Sequence, residues 1–335
     1  MTPELAPAML EAVEVELRRV VARLDPQREP EMLRMLRHHL GWSDSEGESG
    51  GKRVRPLLTL LTCAAAGGDW PQALPAAAAV ELIHNFSLVH DDIEDRSEVR
   101  RGRRTLWVEW GIAQAINTGD ALFALSHLAA ASLAEAGVAD RTTLEVRRAL
   151  DEACLELTRG QHLDLDFEDR ERVDLKDYQH MIEGKTGALL AAATEAGAIL
   201  AGVSGEQRAA YRSFGLHLGL AFQVLDDLLG IWGDAGETGK SPGDDLRVRK
   251  KSFPVVIGLS DSPEFRERWA DGSHDEAGVR AMTRWLEQCG ARDRTRAEAE
   301  QHTQDALASL AKAAPRPPAA DELEVLALRL LRRTA

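Results

Sequence analysis

The chain has 335 residues and a formal net charge of −14, which argues against general affinity for nucleic acid or for an anionic membrane surface. Hydrophobic residues make up 44% of it, yet we find neither an uninterrupted apolar run of membrane-spanning length nor the basic-then-apolar layout of a secretory signal. The three cysteines are scattered and odd in number, which indicates neither a disulfide framework nor a zinc site. We therefore expect a cytoplasmic protein with no nucleic-acid partner and no stable membrane insertion.

Apolar residues at three- and four-residue spacing recur along almost the whole chain, which predicts helices. Turns that contain Gly, Pro or Asp separate these segments. The predicted helices cover residues 4–24, 30–41, 55–67, 75–96, 110–136, 140–167, 174–202, 205–233, 252–260, 275–290, 293–313 and 320–333. We find no strand-like alternation of any length, and we interpret the Pro-rich segment 313–319 as an interhelical connection. The prediction is an all-α chain that forms a single domain over residues 1–335.

A long apolar segment that begins at Pro75 ends in the acidic sequence HDDIED. On a helix, Asp91 and Asp95 are four residues apart and point from one face, while Asp92 lies about 100° round the helix, at the flank of that face. Like charges on neighbouring turns repel each other, and a divalent cation reverses that effect. Carboxylate oxygens suit Mg²⁺, which completes its shell with water and phosphate oxygens. A solvated acidic helix end is the alternative interpretation.

Three clusters of basic residues provide candidate anion sites in this acidic chain. The first is GGKRVRP, in which Lys52 and Arg55 are three residues apart at a helix start, where backbone amides also favour an anion. The second is RRGRR at 100–104, whose four guanidinium groups repel each other unless anions lie among them. The third covers residues 247–251. For the first cluster, a basic surface turn is the alternative.

A second aspartate pair lies far downstream, in the sequence FQVLDDLLGIWGD. Apolar neighbours on both sides make Asp226 and Asp227 costly to bury unless cations pair with them. The sequence GKS that follows ends like a phosphate-binding P-loop, but the glycine required five residues before Gly239 is Asp234, and no strand precedes it. We therefore reject a P-loop, although Lys240 can still contact phosphate as a point charge.

Taken together, these motifs resemble the polyprenyl synthetase family, the trans-isoprenyl diphosphate synthases. The matching segments are GGKRVRP, HNFSLVHDDIEDRSEVRRG, EGKTGALL and FQVLDDLLGIWGD followed by GKSPGDDL, in the family's order and spacing between about residues 50 and 255. The resemblance implies a bundle of long helices around a deep central cavity, and a homodimer. It also implies a reaction in which an allylic diphosphate (dimethylallyl, geranyl or farnesyl) joins isopentenyl diphosphate head to tail and releases diphosphate.

The resemblance also implies roles for individual residues. The residues expected to be catalytic are Asp91, Asp92, Asp95, Lys185, Asp226 and Asp227. Three Mg²⁺ ions are expected, with ligands from Asp91, Asp95 and Asp226. The positions that grip isopentenyl diphosphate are Lys52, Arg55, His84 and Arg101. Those around the allylic substrate are Arg100, Lys185, Thr186, Gln223, Lys240 and Lys250. For His84, the alternative is a core histidine whose ring nitrogens are hydrogen-bonded within the protein.

One position of the second aspartate motif departs from the family pattern. Gly230 stands where many members have a third aspartate, so the remaining candidate ligands are Asp226, Asp244, Asp245 and water. Gly230 and Asp234, four and eight residues beyond Asp226, resemble the metal-binding triad of class I terpene cyclases, which is an alternative function. The GGKRVRP cluster argues against it, because a cyclase has no second diphosphate to hold. A third interpretation is a non-catalytic partner subunit of an active synthase.

Product length is expected to depend on the residues just before the first aspartate. In this family the residues four and five before it, here Ser87 and Phe86, commonly form the floor of the elongation cavity. Phe86 with a small Ser87 resembles the pattern of enzymes that make geranylgeranyl diphosphate (C20), with farnesyl diphosphate (C15) next. An ideal helix turns Phe86 about 140° away from Asp91, so this role requires a bend or a wide cavity. The alternative is that Phe86 belongs to the ordinary core.

Overall fold

The computed structural model describes residues 5–42, 51–233, 242–272 and 275–331. The described helices are α1 (Leu5–Val21), α2 (Pro30–Leu40), α3 (Val54–Ala65), α4 (Leu74–Glu94), α5 (Leu106–Trp110), α6 (Ile112–Ala131), α7 (Asp140–Asp169), α8 (Leu175–Ile182), α9 (Ala188–Leu200), α10 (Gly205–Trp232), α11 (Asp244–Arg247), α12 (Phe253–Asp261), α13 (Pro263–Asp271), α14 (Glu276–Gln288), α15 (Ala291–Lys312) and α16 (Ala319–Leu331). A 3₁₀ turn (Trp70–Ala73) precedes α4, a π-helical segment (Glu183–Gly187) joins α8 to α9, and strands β1 (Val99–Arg100) and β2 (Arg103–Arg104) pair antiparallel. The predicted all-α class is confirmed.

Two differences from the predicted helices have local causes. The helix predicted at 110–136 is observed as α6 (Ile112–Ala131), and Gly111, with a φ of +81° that glycine adopts without steric cost, separates it from α5, which was not predicted. Helix α13 was not predicted. It begins after Ser262, whose Oγ accepts the backbone N–H of Phe265 at 3.2 Å, and Pro263 stands at its first position. This capping signal was readable in the sequence.

The described chain forms two compact units. Unit 1 comprises Met1–Asp151, Ala192–Ala209 and Ala314–Leu323, and unit 2 comprises Glu152–Ala191, Ala210–Ala313 and Glu324–Ala335. The single domain predicted over residues 1–335 stays a prediction.

Helix α4 is the centre of unit 1 and packs against α1, α3 and α6. Its first turns, at 75–80, read PAAAAV, and all six residues are buried. The short alanine side chains let neighbouring helices approach closely. Because this part of the helix is buried on every side, it is apolar on all faces and not on one face only. A tightly held helix therefore carries the first aspartate motif at its C-terminal end.

Helix α10 supplies much of the core of unit 2 and carries the second aspartate motif. Tyr211, Phe214 and Leu218 on this helix are fully buried. By length and composition alone, α10 is also long and apolar enough to cross a membrane, but 67% of its most apolar window is buried inside the structure. A buried core helix passes the same test, so this feature is weak evidence for a membrane span.

Candidate active site

The residues singled out from the sequence fall into two groups, one in each unit. Unit 1 holds the first aspartate motif, the first two basic clusters and the residues proposed for product length. Unit 2 holds the second aspartate motif and the remaining substrate-binding candidates: Lys185, Thr186, Gln223, Asp226, Asp227 and Lys250. Lys240 lies outside the described residues.

The three aspartates at the end of α4 have different surroundings. Asp91 is half-buried and Asp95 is exposed, one helical turn apart, with the Asp95 N–H donating to the Asp91 carbonyl at 2.8 Å. Asp92 is only 3% exposed, and its Oδ1 accepts from Arg100 Nε at 2.6 Å. Burial raises the pKa of the Asp92 carboxyl, and the Arg100 guanidinium opposes that shift. Asp92 therefore connects α4 to the β1–β2 hairpin by an ion pair with the half-buried Arg100.

The hairpin brings the first two basic clusters together. Its tip is formed by Arg101 (φ +52°) and Gly102 (φ +76°). The Arg101 guanidinium lies over Gly51, where an added Cβ would be 2.6 Å from Arg101 Nη1. Gly51 has a φ of +94°, a backbone conformation that favours glycine, and a side chain there would also have to displace the Arg101 guanidinium. Lys52 directly follows the glycine that the Arg101 guanidinium covers.

Arg55 and His84 are both half-buried and contact each other. Arg55 Nη1 lies 3.1 Å from His84 Nε2. Burial, followed by the charges of Arg55 and Arg101, holds the pKa of His84 well below its ordinary value. The imidazole is therefore neutral, and its Nε2 can accept from the guanidinium. The Nε of Arg55 is buried with no hydrogen-bond partner among the described residues, which is a donor suited to an anion.

Arg53 is a residue that the sequence reasoning missed. Its side chain is buried and donates to Glu14 at 2.6 Å, to Glu81 at 2.8 Å and to the Leu40 carbonyl at 3.0 Å. Glu81 also accepts from Asn85 Nδ2 at 2.9 Å. A buried network of this kind anchors the turn from which Lys52 projects. The sequence contains one signal for this network. Glu81 is a lone charge inside the apolar run AAAAVELI, and a buried charge predicts a cationic or hydrogen-bonding partner.

A basic pocket in unit 1 lies between α2 and the hairpin. Arg103 Nη1 donates to the His38 carbonyl at 2.7 Å, and His38 Nε2 lies 2.8 Å from the Arg104 carbonyl. Burial, followed by the charge of Arg101, lowers the pKa of His39 to about 3, so this histidine is neutral. The pocket is lined by His38, His39, Asp92, Arg100, Arg101, Arg103, Arg104, Thr105 and Leu106. Such a concentration of guanidinium groups matches the bidentate chemistry of phosphate.

In unit 2, Asp227 is a buried hydrogen-bonding centre. Its carboxylate accepts from Tyr178 Oη at 2.6 Å, from the Phe253 N–H at 2.8 Å and from Gln223 Nε2 at 3.0 Å, and Lys250 Nζ lies 3.8 Å away. Burial raises the pKa of the Asp227 carboxyl, and Lys250 opposes that shift. The half-buried Asp226 beside it lacks this set of contacts. Asp227 therefore fixes the positions of Gln223 and Lys250.

Lys185 and Thr186 lie in the π-helical segment, a local distortion that is frequent at functional sites. Thr186 Oγ1 donates to Gln223 Oε1 at 2.8 Å, which links this segment to α10. Lys185 Nζ forms an ion pair with Asp164, a residue that the sequence reasoning did not single out. Thr186, Gln223 and Asp227 thus form one continuous hydrogen-bonded chain.

The missing third aspartate of the second motif has a steric explanation. A Cβ at Gly230 would lie 2.4 to 2.6 Å from the carboxylate atoms of Asp245. Asp245 is buried and follows Gly243, which has a φ of +77°. The carboxylate of Asp245 therefore occupies space that a side chain at position 230 would need. A buried carboxylate therefore lies beside position 230 of α10, but it belongs to Asp245 and not to residue 230.

Comparison with known proteins decides the family. The Polyprenyl synthetase family model matches residues 43–285. The chain belongs to this family. A (2E,6E)-farnesyl diphosphate synthase of Mycobacterium tuberculosis is 42% identical over 340 residues, covering 97% of this chain and 91% of the relative. A geranylgeranyl diphosphate synthase of the same organism is 42% identical over 266 residues, covering 78% and 75%. The crystal structure of a Streptomyces coelicolor polyprenyl synthetase has a TM-score of 0.86 at 38% identity, covering 96% and 97%.

As a polyprenyl synthetase, the protein is a prenyltransferase with the all-α isoprenoid synthase fold. The family uses isoprenyl diphosphate substrates and a divalent metal ion. Carboxylate oxygens are ligands that suit such an ion, and they are offered by Asp91 and Asp95 in unit 1 and, separately, by Asp226 in unit 2. The family's members include both farnesyl and geranylgeranyl diphosphate synthases, so membership alone leaves product length open.

The residues proposed for product length lie in the contact between α4 and α6. Phe86 is half-buried and packs against Phe123, with ring centroids 5.0 Å apart, and edge-on against His90 at 5.3 Å. Phe123 in turn meets His127 edge-on at 4.5 Å. The Ser87 hydroxyl donates back to the His84 carbonyl at 2.9 Å and adds little volume. Phe86 is thus the large side chain of this pair, backed by a second aromatic ring.

Proposed function

We propose that this prenyltransferase joins isopentenyl diphosphate to an allylic diphosphate head to tail and releases diphosphate, with geranylgeranyl diphosphate as its main product. The observation that carries the proposal lies in unit 1, where the Arg101 guanidinium covers Gly51, the residue before Lys52, while Arg55 contacts His84 and Arg100 binds Asp92 at the end of α4. A cluster of this kind suits a diphosphate held apart from the one that leaves. It therefore supports a synthase with two diphosphate substrates over a terpene cyclase, which has one.

Asp91, Asp95 and Asp226 are proposed to bind Mg²⁺, three ions in all. When bound, Mg²⁺ neutralises negative charge on the leaving diphosphate. Asp92 and Asp227 are proposed as positioning residues, because each is buried and already engaged by basic or hydrogen-bonding partners. Asp245 is proposed to supply the carboxylate that position 230 lacks.

The remaining polar residues are proposed to bind the two substrates. Lys52, Arg55, His84 and Arg101 hold isopentenyl diphosphate, with the buried Arg55 Nε–H available to a phosphate oxygen. The allylic diphosphate is held by Arg100, Lys185, Thr186, Gln223, Lys240 and Lys250. As the allylic C–O bond breaks, the arginine and lysine side chains among these residues stabilise the developing negative charge of the diphosphate. The alkene of isopentenyl diphosphate then attacks the allylic carbon, and the departing diphosphate takes the proton released.

We expect substitutions to separate the two substrate sites. Lys52→Ala or Arg55→Ala should raise the apparent KM for isopentenyl diphosphate about 10- to 100-fold, since a hydrogen bond to a charged group contributes roughly 1.5–3 kcal/mol. Lys185→Ala should mainly disturb the allylic substrate. Steady-state kinetics with each substrate varied in turn measure the difference.

Arg141→Ala is a control for loss of positive charge, because that side chain is 92% exposed. If every variant affected both substrates equally, the assignment to two sites would be contradicted. The result would indicate that positive charge acts on both substrates without a specific site.

For product length, C20 is proposed first because Phe86 alone of the pair Phe86 and Ser87 is bulky. A C15 product is the second candidate, favoured by the farnesyl diphosphate synthase that matches 97% of this chain. Incubation with isopentenyl diphosphate, dimethylallyl or farnesyl diphosphate and Mg²⁺, followed by chromatography of the products, distinguishes these outcomes. Absence of any elongated product would refute the synthase proposal. The homodimer and the cytoplasmic location stay predictions.

Phe86→Ala is expected to lengthen the products by one or more C5 units. Removing the ring opens a void beside Phe123 that an apolar tail can fill. Chromatography of the products, compared with those of the wild type, measures the change. Leu88→Ala, also a half-buried position of α4, is the matched control. Wild-type chain length together with reduced stability would show that Phe86 is ordinary core packing.

A further inference from the structure

A cluster of metal-ligating side chains lies between α10 and α15 in unit 2. His217 Nδ1 and His302 Nδ1 are 3.2 Å apart, with the rings tilted by 34°. Asp305 follows His302 by three residues on the same face of α15, and ligand atoms of all three residues lie within 4.8 Å of one another. His302 is only 8% exposed. One Asp305 oxygen also accepts from Gln301 Nε2 at 3.1 Å.

The distances suit a four-coordinate transition metal. Bonds of about 2.0–2.1 Å from zinc to nitrogen place tetrahedral ligand atoms about 3.3 Å apart, close to the observed separation of the two Nδ1 atoms. Without an ion, two neutral imidazoles in this orientation can share only one proton between these nitrogens. The cluster therefore offers two imidazole nitrogens and a carboxylate, with a fourth position left for water.

A further carboxylate lies on the other side of His302. Glu298 Oε1 is 3.4 Å from His302 Nε2, four residues earlier on α15. Histidines that bind metals commonly direct their second ring nitrogen at a carboxylate, which fixes the tautomer and strengthens the ligand. Glu298 lies close enough to His302 Nε2 for this role, although the two atoms do not form a hydrogen bond in the described structure.

We propose that His217, His302 and Asp305 bind a divalent transition-metal ion of the Zn²⁺ class that fastens α15 to α10. Nitrogen ligands favour such ions over Mg²⁺, which prefers oxygen. This site differs from the proposed diphosphate-binding residues of α10: His217 lies six residues, about 9 Å along the helix, from Gln223 and nine residues, about 13.5 Å, from Asp226, which projects from the opposite side of the helix. The cysteine count could not indicate it, since its ligands are histidines and an aspartate.

The test uses the full-length chain stripped of metal by chelation and then saturated with Mg²⁺, so that carboxylate sites are occupied. Titration with Co²⁺ should give the strong visible absorption of a four-coordinate ion at about one equivalent, and Zn²⁺ should displace it. His217→Gln, His302→Gln and Asp305→Asn should each weaken Co²⁺ binding at least tenfold. Zn²⁺ should raise the thermal midpoint of the wild type and not of these variants.

Two controls separate this site from others. His162→Gln removes an exposed histidine, and Asp91→Asn alters the proposed magnesium site, so neither should change the Co²⁺ spectrum. Circular dichroism checks that each variant is folded. The proposal is overturned if the wild type shows no such absorption, or if the folded double variant His217→Gln/His302→Gln retains it. If one variant fails to fold, absence of absorption in the wild type still overturns the proposal, and the remaining folded variants test the ligands.

Discussion

Replacing Asp91 or Asp95 with alanine is expected to lower turnover by two to three orders of magnitude or more, with the fold intact. Both carboxylates project from the end of α4, where Asp91 is half-buried and Asp95 exposed, so their removal leaves no void in the core. Losing one element of electrostatic stabilisation costs roughly 3–4 kcal/mol in the transition state. Steady-state turnover at saturating substrates and Mg²⁺ measures the effect.

Glu94→Ala is the matched control, because Glu94 is an exposed carboxylate at the same helix end but not on the face shared by Asp91 and Asp95. Its turnover should stay near that of the wild type. If Asp91→Ala keeps more than about a tenth of wild-type activity, Asp91 does not belong to the catalytic site.

Glu81→Ala is expected to destabilise the protein by about 3–5 kcal/mol, since it leaves the buried guanidinium of Arg53 without a close partner on one side. Asn85 loses a hydrogen-bond acceptor at the same time. The midpoint of urea unfolding should fall accordingly, with an unchanged slope. The turn that carries Lys52 is anchored by this network, so affinity for isopentenyl diphosphate should also weaken under conditions where the variant is folded.

Glu14→Ala is the control for this effect. Glu14 contacts the same guanidinium at 2.6 Å, but its side chain is 34% exposed, so water can replace part of its contribution. We expect a loss of about 1 kcal/mol or less. Similar losses for the two variants would mean that burial of the Arg53–Glu81 pair has no special energetic role.

The sequence by itself determined the helical class and the local geometry of the motifs. Apolar spacing indicated nearly every helix, because a side chain's position on a helix depends only on its place in the sequence. The shared face of Asp91 and Asp95 followed from the same periodicity, and the spacing of the motifs indicated the family. Their proposed metal-binding role remains to be tested.

Only the tertiary structure decided which polar groups are paired. Asp91 and Asp92 are adjacent in sequence, yet Asp92 is buried against Arg100 while Asp91 is half-buried. The contacts of Arg53 with Glu81, 28 residues away, and of Arg101 with Gly51 were equally invisible.

The same holds in unit 2, where Asp227 accepts hydrogen bonds from Tyr178 of α8 and Phe253 of α12, and where Asp245 occupies the space beside Gly230. Helical periodicity predicts which face of a helix a residue occupies, but it does not predict which residues pack against that face. An unpaired charge inside the protein is energetically costly. Which residue pairs with a buried charge therefore depends on which polar group the fold places next to it.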